Sequence, residues 1–306
     1  MTRWLVLLAA LVAGPAAAQG PGLPVPPPQW PGTDPAPAPP GLPAPPPQVP
    51  PTLPPGTPPG LPGTPPQAPS PSAVRVDLRV ILQGAYAAGL GGSAHMRTDL
   101  AAVLPATHPY GAAPWSHAGA EALADGLLER HDVVDWLLVC VRATAAGPDT
   151  ACRAALLRAD GSLLDAATEQ SGTRLGGVTP GAYFVVVRHR NHLAAMTAAP
   201  VALGDALPAA VADLTTGAAF GTNALTTLGG GLFGLVAADA DGDGVVDVSD
   251  RTTVWRPLAG GEGYLSGDLD LDGRVLADDR QRLWLPNVGR TTQVPDASLA
   301  PVAADR

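Results

Sequence analysis

The sequence predicts a mainly β protein in which an antiparallel β-sandwich precedes a small helical unit. Four segments between residues 73 and 190 have the apolar and β-branched composition of strands, with glycine or proline between them. The same region holds only one short helical pattern. Two acidic stretches near the end of the chain are each followed by a short helix-like run, and these runs predict the helical unit.

The first predicted strand, in segment 73–84, places Val74, Val76 and Leu78 in alternation with charged residues. This period of two is typical of a strand with one buried face. Three further segments have strand composition: 133–144, 152–158 and 182–190. The one short helical pattern covers residues 117–131. With so few helical patterns, an antiparallel sandwich is the architecture that the sequence favours.

The composition divides the chain into successive regions. Residues 1–18 have the basic start, apolar stretch and small-residue cleavage site of a secretory signal peptide. Residues 19–72 are proline-rich, and proline fixes φ and lacks the N–H donor, so we expect an extended, disordered linker. The other predicted regions are the sandwich at 73–205, a connector at 206–234, the helical unit at 235–290 and a disordered tail at 291–306.

Charge and hydropathy narrow the classes of partner and compartment. The formal net charge of −9 argues against nucleic acid, because phosphate binding requires a basic surface. No apolar run after the signal reaches the ~20 residues that a membrane helix needs. We therefore expect a secreted protein, extracellular or at the cell surface, with no transmembrane segment.

Cys140 and Cys152 lie on either side of the turn sequence AAGPDT. If the hairpin folds about residue 146, the two cysteines lie directly opposite each other on antiparallel strands, within reach of a disulfide. Two buried free thiols are the alternative. A metal site is disfavoured, because there are only two sulfurs and no paired histidines nearby.

Three histidines are the candidates for catalysis: His117, His189 and His192. His189 and His192 would point to opposite faces of an extended strand and could act together only if the strand ended between them. The sequence GGSAHM approaches a nucleophilic serine elbow, but His95 occupies the place of the second glycine. We predict that the chain is not an enzyme, and that the RHRNH segment is a polar strand end that hydrogen-bonds a neighbouring loop.

The two acidic stretches form an internal repeat with a period of 29 residues. Residues 239–250 read DADGDGVVDVSD and residues 268–279 read DLDLDGRVLADD, with aspartate at positions 1, 3, 5 and 12 and glycine at position 6. This spacing is that of an EF-hand-type calcium loop, because Ca²⁺ is a hard cation that takes six to eight oxygen ligands. The sequence therefore predicts two Ca²⁺ sites.

Each loop position has a predicted role. The ligands expected in the first loop are Asp239, Asp241, Asp243, the carbonyl of Val245, Asp247 through a water, and Asp250. Those expected in the second loop are Asp268, Asp270, Asp272, the carbonyl of Arg274, and Asp279. Leu276 occupies position 9 of the second loop, so we expect this site to be the weaker one. We also expect Val246 and Val275 to pair in a short strand between the loops.

Three stretches of the chain resemble known families. Leu175, Pro180 and Tyr183 resemble the tyrosine corner of fibronectin-type and other immunoglobulin-like domains, which implies a sandwich of that kind. Through its VRHRNHL and MTAAPV phrases, the segment 73–290 resembles a loose group of exported bacterial proteins, some of them haemagglutinin-like. The tandem loop-plus-helix units of residues 235–290 resemble a dockerin type I module with two F-hands. That resemblance implies calcium-dependent docking to a cohesin-type partner.

Together these features predict a secreted, non-catalytic adhesion or assembly protein that carries a structural calcium-binding module. Its partner would be a cohesin-type or other cell-surface protein. The alternative is an accessory subunit of an extracellular polysaccharide-degrading system, in which the sandwich binds glycan and the module docks to a cohesin. Aromatic residues make up only 4% of the chain, which weighs against the glycan-binding alternative.

Overall fold

The computed structural model of the chain describes residues 72–90 and 95–295. The predicted signal peptide, the linker up to residue 71, residues 91–94 of the GGSAHM segment and tail residues 296–306 lie outside the described residues. All described residues belong to one compact unit. Among them, no helix has both the length and the apolar character needed to cross a membrane.

The fold is mainly β, as the sequence predicts. Among the described residues, eleven strands run in chain order: β1 (Ala73–Arg79), β2 (Val133–Arg142), β3 (Ala151–Arg158), β4 (Leu163–Leu164), β5 (Thr173–Gly176), β6 (Gly181–His189), β7 (His192–Met196), β8 (Val201–Leu203), β9 (Ala210–Asp213), β10 (Thr226–Gly229) and β11 (Leu232–Gly234). The larger sheet has the order β4-β3-β2-β6-β7, and β8 also pairs with β6. The smaller sheet has the order β5-β1-β9, and β10 and β11 form a separate hairpin.

The two larger sheets pack face to face. Val74, Val76 and Leu78 of β1 lie in the same buried cluster as Leu137 and Val139 of β2, so the alternation in β1 marks its inner face. All pairs in these sheets are antiparallel except β1 and β9, which are parallel. Strand β9 belongs to residues 206–234, which the sequence assigns to a connector. In the structure Ala210–Asp213 of this region extend the smaller sheet, and β10 and β11 form the separate hairpin.

Strand β2 is buried at every one of its ten positions, because both of its faces are covered. The inner face meets the smaller sheet, and the outer face carries Trp136, Leu138 and Cys140 into a second cluster. The loop before β2 covers that cluster with the buried Tyr110, whose hydroxyl donates to the Trp136 carbonyl at 2.7 Å. The chain after the helical unit adds Val294 to the same cluster.

The hairpin of β2 and β3 confirms the predicted disulfide. Cys140 lies directly opposite Cys152 in the strand register, and their sulfurs are bonded. The Tyr183 hydroxyl donates to the Thr179 carbonyl at 2.9 Å, which is the hydrogen bond of a tyrosine corner. The helical pattern of residues 117–131 forms only the four-residue helix α1, Leu127–Arg130, which begins after Gly126 at φ 65°.

The helical unit contains two short helices, one after each acidic loop. A π-helical segment, Asp250–Trp255, continues as the α-helical turn Arg256–Leu258, and together they are called α2. The second helix, α3, is built in the same way from Asp279–Trp284 and Leu285–Asn287.

Candidate metal centre

The first acidic loop wraps around the side chain of Asp250, the first residue of α2. One carboxylate oxygen of Asp250 accepts the N–H of Ala240 at 2.6 Å, and the other accepts the N–H of Asp247 at 2.8 Å. These bonds draw both ends of the loop together. As a result, carboxylate oxygens of Asp239, Asp241 and Asp250 lie within 4.8 Å of one another.

The second loop repeats this arrangement around Asp279. Its carboxylate accepts the N–H of Leu269 at 2.7 Å and that of Leu276 at 2.6 Å. Oxygens of Asp268, Asp270 and Asp279 again lie within 4.8 Å of one another. The internal repeat of the sequence is therefore also a repeat of structure.

The glycine at position 6 permits the sharp turn in each loop. Gly244 has φ +88° and Gly273 has φ +86°, in the left-handed region that disfavours other residues. Each donates its N–H back to the position 1 carboxylate, at 3.3 Å to Asp239 and 2.9 Å to Asp268.

The remaining predicted ligands lie closer to the surface of each loop. The carboxylates of Asp243, Asp247 and Asp272 each accept a backbone N–H two residues further along, at 2.8, 2.6 and 2.8 Å. Val245 forms an isolated bridge with Thr291, and Arg274 forms one with Glu262. Each loop thus gathers the acids of positions 1, 3 and 12 into a cluster, with positions 5, 7 and 9 around it.

Burial and mutual repulsion disturb the ionisation of both clusters. Burial, with the negative charge of Asp250 second, raises the pKa of Asp239 to about 8. Burial likewise raises the pKa of Asp268 to about 7 and that of Asp270 to about 6. Carboxylates this close and this buried require either protons or a cation between them. An all-oxygen donor set of this charge fits a hard divalent cation.

The two repeats hold each other through reciprocal backbone contacts. Val246 of the first loop exchanges hydrogen bonds with Gly289 and Arg290 after α3, both at 2.8 Å. Val275 of the second loop exchanges them with Gly260 and Gly261 after α2, at 2.8 and 2.9 Å. The expected pairing of Val246 with Val275 is therefore wrong, because each valine pairs with the chain that leaves the other repeat's helix.

The two repeated tryptophans follow the same reciprocal rule. Trp284 of α3 donates its indole N–H to the Asp247 carbonyl at 2.7 Å, at position 9 of the first loop. Trp255 of α2 donates to the Leu276 carbonyl at 3.0 Å, at position 9 of the second loop. Each helix therefore fixes the backbone of the loop in the other repeat.

The second loop is attached to the sandwich through its backbone carbonyls. Arg97 donates to the Asp270 carbonyl at 2.7 Å, and the Asn191 amide donates to the Asp268 carbonyl at 2.6 Å. Gly84 lets the loop cross close by, since a Cβ there would stand 2.0 Å from the Leu269 carbonyl oxygen. These contacts fix the second loop against the sandwich.

Leu271, at position 4 of the second loop, is part of the sandwich core. It is 1% exposed and packs in the cluster that lies between the two sheets. Its backbone has φ +62°, a conformation that costs free energy for a residue with a side chain. Burial of the leucine side chain offsets that cost.

The RHRNH segment forms the polar centre of the attachment. Strand β6 ends at His189 and β7 begins at His192, so the two histidines face each other instead of pointing to opposite faces. One choice of tautomers satisfies three contacts. The Nε2–H of His189 donates to Asp135 at 3.0 Å, the Nδ1–H of His192 donates to His189 at 3.0 Å, and the Nε2 of His192 accepts the Gly84 N–H at 3.1 Å.

Charged and aromatic groups complete this hydrogen-bond network around Asp135. Burial raises the pKa of Asp135, but Arg190 and the His189 hydrogen bond outweigh it and hold this pKa at about 2. The Tyr264 hydroxyl also donates to Asp135, at 2.6 Å, and Arg190 donates to the Leu265 carbonyl. The prediction that the segment hydrogen-bonds a neighbouring loop agrees with these contacts.

His117, the third catalytic candidate, lies in the loop before β2. Its Nε2 is 3.1 Å from a carboxylate oxygen of Glu121, and the pair closes over Gly119, where a Cβ would meet both side chains. His108 is bonded to the Gly119 carbonyl at 2.9 Å and accepts the Tyr110 N–H at 3.2 Å. These contacts fix the turn at Gly119.

The site also contains Arg97, Leu271 and Tyr264, which the sequence patterns do not predict. The polarity of the RHRNH segment is the sequence signal for Arg190 and Asn191. Arg97 and Leu271 carry no local signal, because their partners are more than 170 residues away or come from another layer of the fold.

Comparisons with known proteins give weak structural likenesses only. No protein-family model matches the chain, and no curated protein matches it. Two crystal structures of type II cohesin–X-dockerin complexes from Acetivibrio cellulolyticus are similar to it. An N-terminal interface mutant has 17% identity and a TM-score of 0.31, over 51% of this chain and 82% of that chain. A C-terminal interface mutant has 12% identity and a TM-score of 0.34, over 72% of this chain and 97% of that chain.

Proposed function

We propose that the chain is an exported, non-catalytic docking or assembly protein in which two Ca²⁺ ions stabilise a dockerin-like module against a β-sandwich. The observation that carries this proposal is the pair of in-phase acidic clusters, Asp239, Asp241 and Asp250, and Asp268, Asp270 and Asp279. Their oxygen donors favour Ca²⁺ over softer metals. The raised pKa of Asp239 and of Asp268 supports a requirement for positive charge at both sites.

In this proposal the metal ligands are those that the sequence predicts. The first ion is held by Asp239, Asp241, Asp243, the Val245 carbonyl, Asp247 through water, and Asp250. The second is held by Asp268, Asp270, Asp272, the Arg274 carbonyl and Asp279. The ions neutralise the carboxylates and fix the loops. The role of calcium is therefore structural.

Calcium at the second loop would stabilise more than the helical unit. That loop contributes Leu271 to the sandwich core, and its carbonyls accept hydrogen bonds from Arg97 and Asn191. A ligand that binds only the folded state stabilises whatever is folded with the site. We therefore expect calcium to raise the stability of the sandwich and the module together.

Export and the absence of catalysis are part of the proposal. The Cys140–Cys152 disulfide is typical of an oxidising compartment, which agrees with the predicted signal peptide. The ring nitrogens of His189 and His192 are hydrogen-bonded inside the fold, and burial lowers the pKa of both rings. This arrangement favours a structural role for both histidines over general base catalysis.

The docking partner is proposed to be a cohesin-type or other cell-surface protein. The proposal rests on the dockerin resemblance of residues 235–290 and on three apolar side chains that the module exposes. Val248 is 60% exposed, Leu285 57% and Val288 47%. Val248 and Leu285 are the sequence neighbours of Asp247 and Trp284, whose hydrogen bond joins the two repeats.

The docking proposal is tested with purified cohesin domains of types I and II and the full chain, by calorimetry. We expect binding in Ca²⁺ and none in chelator. Val248→Asp and Leu285→Asp should weaken binding, whereas Val211→Asp, at an exposed valine of the sandwich, should not. Absence of binding to every cohesin, or equal binding in chelator, would reject the partner.

A second candidate function is glycan binding by a cleft of about 350 Å³ beside the first loop. Trp115 lines this cleft together with Arg188 and Asp149, which form an ion pair at 2.9 Å, and with Asp243 of the first loop. An aromatic ring beside polar groups is suited to a sugar ring. A glycan array probed with the wild type and with Trp115→Ala tests this function. Absence of binding, or equal binding by the two proteins, would reject it.

A further inference from the structure

The first acidic loop forms one wall of the cleft that Trp115 lines. Gly242, Asp243 and Gly244, at positions 4 to 6 of this loop, border the cleft of about 350 Å³. Pro114 and Trp115, at the tip of the loop before β2, border it as well. All of the described residues that line the cleft lie outside the second acidic loop. Of the two acidic loops, the first is therefore the one that can shape the cleft.

The two acidic loops differ in what position 4 meets. In the second loop this position is Leu271, which is buried in the sandwich core. In the first loop it is Gly242, at φ +74°. A Cβ at Gly242 would stand 2.8 Å from the Pro114 Cγ and 3.1 Å from the Trp115 Cζ2. The glycine thus lets the first loop pack directly against the tip of the loop before β2.

This tip, residues 111–116, is exposed and locally strained. All of its residues except Trp115 are exposed, and the Trp115 ring meets that of Tyr110 edge to face at 5.3 Å. Ser116 has φ +48°, a left-handed conformation that costs free energy for a residue with a side chain. Its N–H donates to the Ala112 carbonyl at 2.9 Å, in a hydrogen bond between two exposed residues. These are the features of a segment of low local stability, which depends on what packs against it.

We propose that Ca²⁺ bound at the first loop holds this tip in place and so controls the shape of the cleft. The inference rests on the calcium sites of the proposed function. Without a cation, the carboxylates of Asp239, Asp241 and Asp250 repel one another, because their oxygens lie within 4.8 Å. The loop then loosens, and Gly242 no longer supports the tip. Ligand binding in the cleft would depend directly on the first ion, and on the second ion only through the stability of the whole unit.

The test measures hydrogen exchange of single amides by NMR, in the full chain at saturating Ca²⁺. The amides of Ser116 and His117 report on the tip, because both are hydrogen-bonded within the loop, at 2.9 and 2.8 Å. The amide of Glu169 is the matched control. Glu169 also has a left-handed backbone, at φ +56°, and its N–H is bonded at 2.9 Å within the loop between β4 and β5.

The wild type is compared with Asp239→Asn and Asp268→Asn, which should each lack one calcium site. Asp239→Asn should speed exchange of Ser116 and His117 about fivefold or more relative to Glu169, whereas Asp268→Asn should leave this ratio unchanged. Equal ratios in the three proteins, with two ions taken up by the wild type, would overturn the coupling and leave the calcium sites standing. No calcium uptake by the wild type would reject the calcium sites and the coupling together.

The coupling must also act in the reverse direction, because the effect of one site on another is reciprocal. Trp115→Ala removes the ring that packs against Gly242. In the Asp268→Asn background it should weaken calcium binding at the first loop about fivefold or more, measured by calorimetry. In the Asp239→Asn background it should leave the second site unchanged. Unchanged affinity of the first site, or equal losses at both sites, would overturn the proposal.

Discussion

Replacement of Leu271 by alanine tests whether the second acidic loop is part of the sandwich core. Leu271 is 1% exposed and packs between the two sheets. The left-handed backbone conformation at φ +62° costs alanine about as much free energy as leucine. The substitution therefore changes packing and leaves backbone strain unaltered. Loss of a buried leucine side chain costs about 2–5 kcal/mol.

The expected result is a large fall in the stability of the whole compact unit. With a central value of about 3 kcal/mol and about 2–4 °C per kcal/mol for a unit of this size, the melting temperature should fall by about 6–12 °C. Differential scanning calorimetry in saturating Ca²⁺ measures this fall in melting temperature and should show one transition. Leu285→Ala is the matched control, because that side chain is 57% exposed and its loss should cost less than about 0.5 kcal/mol.

Unfolding of the helical unit as a separate module would contradict this role of Leu271. Calorimetry would then show two transitions, and Leu271→Ala would move only the one that depends on calcium. A shift no larger than that of Leu285→Ala would also refute the placement of Leu271 in the core.

The disulfide, the buried histidines and the attachment of the second loop to the sandwich each predict a measurable effect of substitution. Replacing both Cys140 and Cys152 by alanine should cost about 3 kcal/mol in denaturant unfolding, given their separation of 12 residues, and a cost below 0.5 kcal/mol would contradict this. In excess Ca²⁺ the free energy of unfolding should fall as pH drops below about 6.5. Burial lowers the pKa of His189 and of His192 in the folded chain, so the unfolded chain takes up protons first. If the free energy of unfolding of His192→Gln fell with pH as steeply as that of the wild type, this prediction would be contradicted. Asn191→Ala should weaken calcium binding at the second loop, measured by calorimetry, and equal affinity would count against the attachment.

Local patterns predicted the parts of the fold that depend on neighbouring residues. The turn AAGPDT fixed the register that brings Cys140 opposite Cys152, and the alternation from Val74 marked the inner face of β1. Strand β2 shows no such alternation, because the loop before it covers its outer face. Within this loop, the helical pattern of residues 117–131 forms only the four-residue helix Leu127–Arg130.

The contacts that join the acidic loops to the sandwich could not be read from the sequence. The reversal of the chain at Arg190 and Asn191 decides that His189 and His192 meet, and a strand pattern alone does not show where a strand ends. Val246 and Val275 each pair with the chain that leaves the helix of the other repeat, and this pairing depends on the path of the chain after each helix.

Isothermal titration calorimetry of the full chain with Ca²⁺ is the direct test of the two proposed metal sites. We expect uptake of two Ca²⁺ ions per chain, with the first loop binding more tightly because Asp247 occupies position 9 where the second loop has Leu276. Asp239→Asn and Asp268→Asn should each remove one site, and Mg²⁺ should be a poor substitute. No uptake of calcium, or two remaining sites in either variant, would contradict the proposed calcium sites.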